Sequence, residues 1–186
     1  MTGAFSRRAA PDSAWRMGMW LTIAASSMMF TGLTSAYVVS QGLGPAWEQL
    51  HMRPLVWADT LILLISSGTM ERARRGASQH SGTSRSLGIT LLLGLLFLAG
   101  QIGVFRQLAQ EGYYLNTGRQ SSFFYVLTSL HGLHVIGGIL ALSFVAGKMG
   151  RMGADDPRRG VRMDVVSIYW HFMGVLWLWL LVVLFA

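Results

Sequence analysis

QSSFFYVLTSLHGLHVIGGILALSFVAG, residues 120–147, carries no charged side chain and lies between Arg119 and Lys148. Crossing the hydrocarbon core of a bilayer takes roughly 20 apolar residues at about 1.5 Å of rise each, so this stretch is long enough to span as one helix. Three more uncharged intervals match it: Met17 to Trp47, Ser86 to Phe105 and Val165 to Ala186. A fifth segment, Pro54 to Met70, is apolar except for Asp59. Asp59 lies within two turns of the segment's start, where a carboxylate can sit near the headgroups while Leu61 to Ile65 cross the core. The reading is an all-α integral membrane bundle of five transmembrane helices, near residues 16–41, 54–75, 86–109, 121–147 and 163–185. They form a single transmembrane domain over 1–186.

The composition agrees. Of the 186 residues 52% are hydrophobic and only 12% charged, against about a quarter charged in a soluble domain. The net charge of +7 would suit a nucleic-acid partner if the basic residues shared one exposed face, but they are confined to the connections. Twelve of the 15 Lys and Arg residues fall in the N-terminal tail, after the second helix and after the fourth, leaving Arg53, Arg106 and Arg119 on the other side. The positive-inside rule puts the larger group in the cytoplasm, hence the N-terminus cytoplasmic, the C-terminus periplasmic and no nucleic acid as partner. Tyr37, Trp47, Trp57, Tyr113 and Tyr114 then fall near the outer interface, which suits amphipathic rings.

Short connections separate the helices. Gly42-Leu43-Gly44-Pro45 ends the first, and Asp155-Asp156-Pro157 marks the turn before the fifth. Ser6-Arg7-Arg8 resembles the start of a twin-arginine signal, but Ala9-Ala10-Pro11-Asp12 interrupts it and the apolar run that follows is too long for a signal segment. An uncleaved first helix is expected.

With no Cys in the chain, thiolate metal sites, iron–sulfur clusters and disulfides are excluded, so any metal or haem would have to be held by histidine. His131, His134 and His171 lie inside the apolar segments. His131 and His134 are three apart and share a helix face, and His171 on the next, antiparallel helix is expected at a similar depth. One reading is a small His-ligated haem or metal membrane protein acting on its own. The other is a set of neutral histidines that hydrogen-bond across helices and fix the packing. Three histidines make at most one bis-histidine pair, and no intramembrane Glu or Asp stands beside them as a further ligand, which favours packing. Gly132, Gly137 and Gly138, with Gly88, Gly94, Gly100 and Gly103 in the third helix, suit close helix approach. The eight acidic residues lie in connections or toward helix ends; an autonomous ion-coupled transporter needs ionisable groups at mid-membrane, so the chain reads as a partner subunit.

The last two helices carry a resemblance. Ser122-Phe123-Phe124-Tyr125 with His131-Gly132-Leu133-His134-Val135-Ile136-Gly137-Gly138, then Tyr169-Trp170-His171-Phe172 with Trp177, closely resemble those of subunit III of the haem–copper oxidases, the cytochrome c oxidase group. Gly18-Met19-Trp20-Leu21, Phe30-Thr31-Gly32-Leu33 and Ala36-Tyr37 are similar to the first helix of the short, five-helix bacterial form. Asp59-Thr60-Leu61 with Ser66-Ser67-Gly68-Thr69 is similar to its second, where the family usually has Asn before that Thr.

The resemblance implies an accessory, non-redox subunit of a respiratory terminal oxidase in the bacterial cytoplasmic (inner) membrane, an enzyme that reduces O2 to water with proton translocation. No catalytic residue, metal ligand or cofactor of this chain's own is implied; haem and copper belong to partner subunits. Its expected partners are the catalytic subunit I, other oxidase subunits or a larger respiratory supercomplex, and structural phospholipids held in a cleft between the first two helices and the other three. Trp20, Tyr37 and Trp57 are lipid-cleft candidates. His131, His134, Gln101, Trp170 and His171 are candidates for interhelical packing, the histidines joining helices four and five. Three acids common in the family are missing: Ser26 stands in place of a first-helix glutamate, Val104 in place of an acid after Gln101, and Gly174 in place of an aspartate after Trp170-His171-Phe172. Lipid binding and packing need none of the three, whereas a proton-collecting role for the first-helix carboxylate would.

Overall fold

The computed structural model describes residues 12–42, 54–79, 83–112, 118–149 and 158–185. They form five helices: α1 (Asp12–Gly42), α2 (Pro54–Gln79), α3 (Thr83–Gln110), α4 (Arg119–Met149) and α5 (Arg158–Phe185). The sequence-derived bounds fall inside these, because helices continue for a turn or more past their apolar stretch. The expected turns at 43–45 and 155–157, the signal-like Ser6-Arg7-Arg8, and Trp47, Tyr113 and Tyr114 lie outside the described residues.

Local chemistry sets the helix ends. Pro54 opens α2, where a missing N–H costs nothing because the first turn has no intrahelical partner for it. Gly112, with φ at 85°, follows α3 and donates its N–H to the Ala109 carbonyl at 3.1 Å; a left-handed residue stops the helix there. Within the helices, hydroxyls bond carbonyls one turn back, as in Thr34 to Phe30, Thr60 to Val56 and Ser143 to Ile139. That satisfies a polar group where lipid offers no partner.

Four helices, α1, α3, α4 and α5, are long and apolar enough to cross a membrane on their own composition. The expectation was five. The second differs because its last turns carry Glu71, Arg72, Arg74 and Arg75.

Successive helices run antiparallel, as their contacts show. Thr69 meets Thr90 and Asp59 meets Gln101 between α2 and α3; Tyr125 meets Phe105 between α4 and α3; Tyr169 meets His134 and Phe185 meets Phe124 between α5 and α4. α5 also runs antiparallel to α2 and parallel to α1, with Arg16 near Asp164 at one end and Tyr37 near Leu184 at the other. α2, α3, α4 and α5 thus close a four-helix ring, and α1 lies outside it against α5 and α4, with no approach to α2 or α3 among the described residues.

Candidate functional site

The centre of the ring is filled from α5. Trp170 and Trp177 are both 2% exposed, and each indole N–H finds a hydroxyl on α2: Trp170 donates to Ser66 Oγ at 3.2 Å and Trp177 to Thr60 Oγ1 at 3.1 Å. Ser66 in turn donates to the Thr90 carbonyl of α3 at 3.4 Å, and the Thr69 and Thr90 hydroxyls lie 2.8 Å apart. A large ring and a hydrogen-bonded tip make Trp an efficient filler where its N–H has a partner. Glycines make room for it. A Cβ at Gly94 of α3 would stand 2.8 Å from the Trp170 ring, and one at Gly138 of α4 would stand 3.2 Å from Tyr169 and 3.3 Å from Trp170.

The three histidines take separate places. His131 is fully buried, edge-on to Phe97 with ring centroids 5.8 Å apart and tilted against Trp177 at 5.2 Å. Neither of its ring nitrogens has a hydrogen-bond partner. His134 turns Nδ1 to the Leu130 carbonyl of its own helix at 2.8 Å and packs edge-on against Phe30 of α1, while its backbone carbonyl accepts from Tyr169. His171 faces α2 rather than α4, its Nε2 lying 3.8 Å from Glu71 Oε2. The level of His131 on α5 is that of Trp177, six residues beyond His171, or about 9 Å along the axis. His171 therefore does not share the depth of His131, contrary to expectation, and it looks toward a different helix. Among the described residues no cluster of three His, Asp or Glu side chains could hold a metal ion.

Gln101 of α3 and Asp59 of α2 meet inside the bundle, Gln101 donating Nε2–H to Asp59 Oδ2 at 3.1 Å. Asp59 is 1% exposed. It lies near the end of the helix, as expected, but it is enclosed between α2 and α3 instead of reaching headgroups. The pairing was absent from the sequence reading. Its signal was the glycine at position 100, against which the Asp59 carboxyl lies so closely that an added Cβ would collide with Oδ1.

At the opposite end of α2, Glu71 accepts from Arg74 at 2.9 Å and from Arg75 at 2.9 Å, and Arg74 and Arg16 both approach Asp164 of α5, at 3.4 and 3.9 Å. These contacts gather α1, α2 and α5 at the basic end. Glu71 lies beyond the apolar run, and the hydrogen bonds from Arg74 and Arg75 hold its carboxyl down at about 2.

A groove of about 660 Å³ runs between α1 and the α4/α5 pair, lined by Trp15, Gly18, Met19 and Thr22 on one wall and Gly137, Ala141, Val165, Val166 and Tyr169 on the other. The expected cleft, with α1 and α2 together on one side, is not the one formed, because α2 is packed into the ring against α3 and α5. Of the lipid-cleft candidates, Trp20 and Trp57 project from the outer surface and are more than half exposed. Tyr37 is wholly buried, its hydroxyl donating to the Leu184 carbonyl at 3.3 Å, and presents no surface to a cleft.

The family described as Cytochrome c oxidase subunit III matches residues 5–186. The chain belongs to that family. It is 31% identical to the Cytochrome c oxidase subunit 3 of Synechocystis, over 90% of this chain and 73% of that protein. It is 30% identical to a Cytochrome bo(3) ubiquinol oxidase subunit 3 of Pseudomonas aeruginosa, over 87% of this chain and 79% of that protein. A third relative, the Cytochrome c oxidase subunit 3 of Bacillus sp. PS3, is 30% identical over 91% and 84%. As a subunit III family member the chain is a multi-pass membrane component of an oxidase complex, with other oxidase subunits as its partners.

Within this subunit III fold two of the three acid-lacking positions are enclosed by the packing and the third is half-buried. Ser26 and Val104 are buried. Gly174 lines a small cavity of about 130 Å³ between α2 and α5, beside Ser67 and His171. A Cβ at Gly174 would stand 3.4 Å from Ser67 Oγ across the seam.

Proposed function

We propose that this chain is the accessory, non-redox subunit III of a bacterial respiratory haem–copper terminal oxidase, a cytochrome c oxidase reducing O2 to water with proton translocation. It lies in the cytoplasmic membrane, contacts subunit I directly, and carries no catalytic centre of its own; haem and copper reside in its partners. The observation that carries the reading is the family match over residues 5–186. The side-chain geometry supports a structural role: His131, His134, Trp170 and Gln101 hold helices together, and His171 is engaged with Glu71.

The alternation of helix directions supports five crossings, and the distribution of basic residues supports a cytoplasmic N-terminus. α1 and α3 both run parallel to α5 and α2 runs antiparallel to it, which fits a returning α2 with its apolar part Pro54–Met70 in the bilayer and Glu71 to Arg75 at the cytoplasmic face in this reading. The apolar groove beside Trp15 and Tyr169 is the phospholipid site in this reading: its walls suit acyl chains, and Arg16, Arg74 and Asp164 at its basic end suit a headgroup. Trp20 and Trp57 face bulk lipid. The same chain would sit in a larger respiratory supercomplex wherever its oxidase does.

Affinity purification by a tag on this chain, in mild detergent from native membranes, should recover haem, copper and larger subunits in one complex. Recovery of a colourless chain alone would overturn the proposal. A Soret band that stays with the isolated chain and is lost in His171→Ala would replace it with a His-ligated haem protein.

A further inference from the structure

The Asp59–Gln101 contact is chemically incomplete as an ion. Gln101 gives one N–H to Asp59 Oδ2, yet its own Oε1 is buried without a hydrogen-bond partner. An ionised carboxylate has acceptors only and can never serve that oxygen, whereas a carboxylic acid has one O–H to give.

Among the described residues nothing balances a charge at this position. Among the described residues Asp59 enters no ion pair, and its contacts on α3 are Gly100 and Gln101. On α2 the charged residues begin at Glu71, twelve positions on, or about 18 Å along the axis. On α3, Arg106 is exposed and points from another face five residues on. On α5, which packs against α2, the group at this level is Trp177, already bonded to Thr60, while Asp164 pairs with Arg74 and Arg16 at the far end. A buried charge with neither a cation nor a full set of donors is the most costly state of such a group.

We infer that Asp59 is a proton-binding site, standing in the bundle as the neutral acid and returning a hydrogen bond to the Gln101 amide oxygen. Each side chain then gives one hydrogen and takes one, joining α2 to α3 by a reciprocal pair. The terminal torsions of carboxyl and amide are soft, so a small rotation of either plane aligns the second bond. Gly100 is what lets the carboxyl lie flat against α3, shielded from water on that side.

The test is infrared spectroscopy on the complex purified through this chain, at neutral pH, with aspartate carrying 13C at its side-chain carboxyl. The wild type minus Asp59→Asn difference should show a protonated-carboxyl C=O band that shifts down with the label and on exchange into D2O. Loss of a carboxylate stretch in its place would overturn the inference. Asn can offer Gln101 Oε1 an N–H from the same position, so this variant should assemble. A second variant keeps the question decidable should it fail: Gln101→Leu in the labelled protein should raise the frequency of the Asp59 acid band as its partner is removed, and an unmoved band or none at all would refute the pairing.

Discussion

The indole N–H of Trp177 donates to the Thr60 hydroxyl at 3.1 Å, fastening α5 to α2. Between lipid-embedded helices there is no hydrophobic drive to associate, and such bonds average about 0.6 kcal/mol with a ceiling near 1.7 kcal/mol. A double-mutant cycle of Trp177→Phe and Thr60→Val, read as unfolding of the detergent-solubilised complex, should give a coupling of that size. A coupling indistinguishable from zero would mean that the ring's volume alone holds the seam.

Gly94 and Gly138 should behave as a pair of seats for Trp170. Overpacking a close-fitted core costs about 1–3 kcal/mol, and the Cβ of Gly94→Ala would meet the Trp170 ring at 2.8 Å while that of Gly138→Ala meets it at 3.3 Å. Gly94→Ala is therefore expected to lower the melting temperature more than Gly138→Ala, and Gly88→Ala, which meets nothing within 4 Å, should leave it unchanged.

His131 has two buried ring nitrogens without partners, and an unserved buried donor costs about 1–3 kcal/mol. His131→Phe keeps a ring between Phe97 and Trp177 and removes that penalty. The variant should assemble with subunit content and visible spectrum intact. Loss of the spectrum with the subunits still present would show that His131 holds a chromophore.

Glu71 supplies a stability term that depends on acid. Its folded value of about 2 lies below the ordinary 4.5, so the contribution is fully present above 4.5 and is lost as the pH falls from there through about 2. Glu71→Gln should flatten the decline in melting temperature across that window. The group faces water, so the difference will be small and will shrink further in high salt.

For the groove, Gly137→Phe and Ala141→Phe place bulk on its α4 wall. Native mass spectrometry of the complex should then show fewer retained phospholipids with the subunits complete. Unchanged lipid retention would move the site elsewhere.

The helices were legible because uncharged runs between charged residues mark what lipid can hold, and the exposed Leu92, Leu140 and Val182 contribute to that signal as fully as the buried ones do. That same property hid the packing. In a bundle apolar on every side, hydrophobicity does not say which face meets a neighbour, so the exclusion of α1 from the ring and the turn of His171 toward α2 could not be read. Polar residues carried more of the internal geometry, but only as pairs: Asp59 and Gln101 were each visible in the sequence, and their meeting depended on the register between α2 and α3. Tyr37 shows the reverse error, an aromatic near a predicted interface whose hydroxyl is spent inside, on Leu184.

Among the described residues α1 touches α4 and α5 alone, and this has a consequence for synthesis. Once made, α1 has no partner helix until α4 and α5 follow it out of the ribosome. Between the end of α1 and the start of α4 lie 76 residues, at about 5–20 residues per second a delay on the order of ten seconds. During that time α1 stays in the bilayer as a lone hydrophobic rod, open to capture by chaperones, insertases or neighbouring subunits before its own chain can claim it.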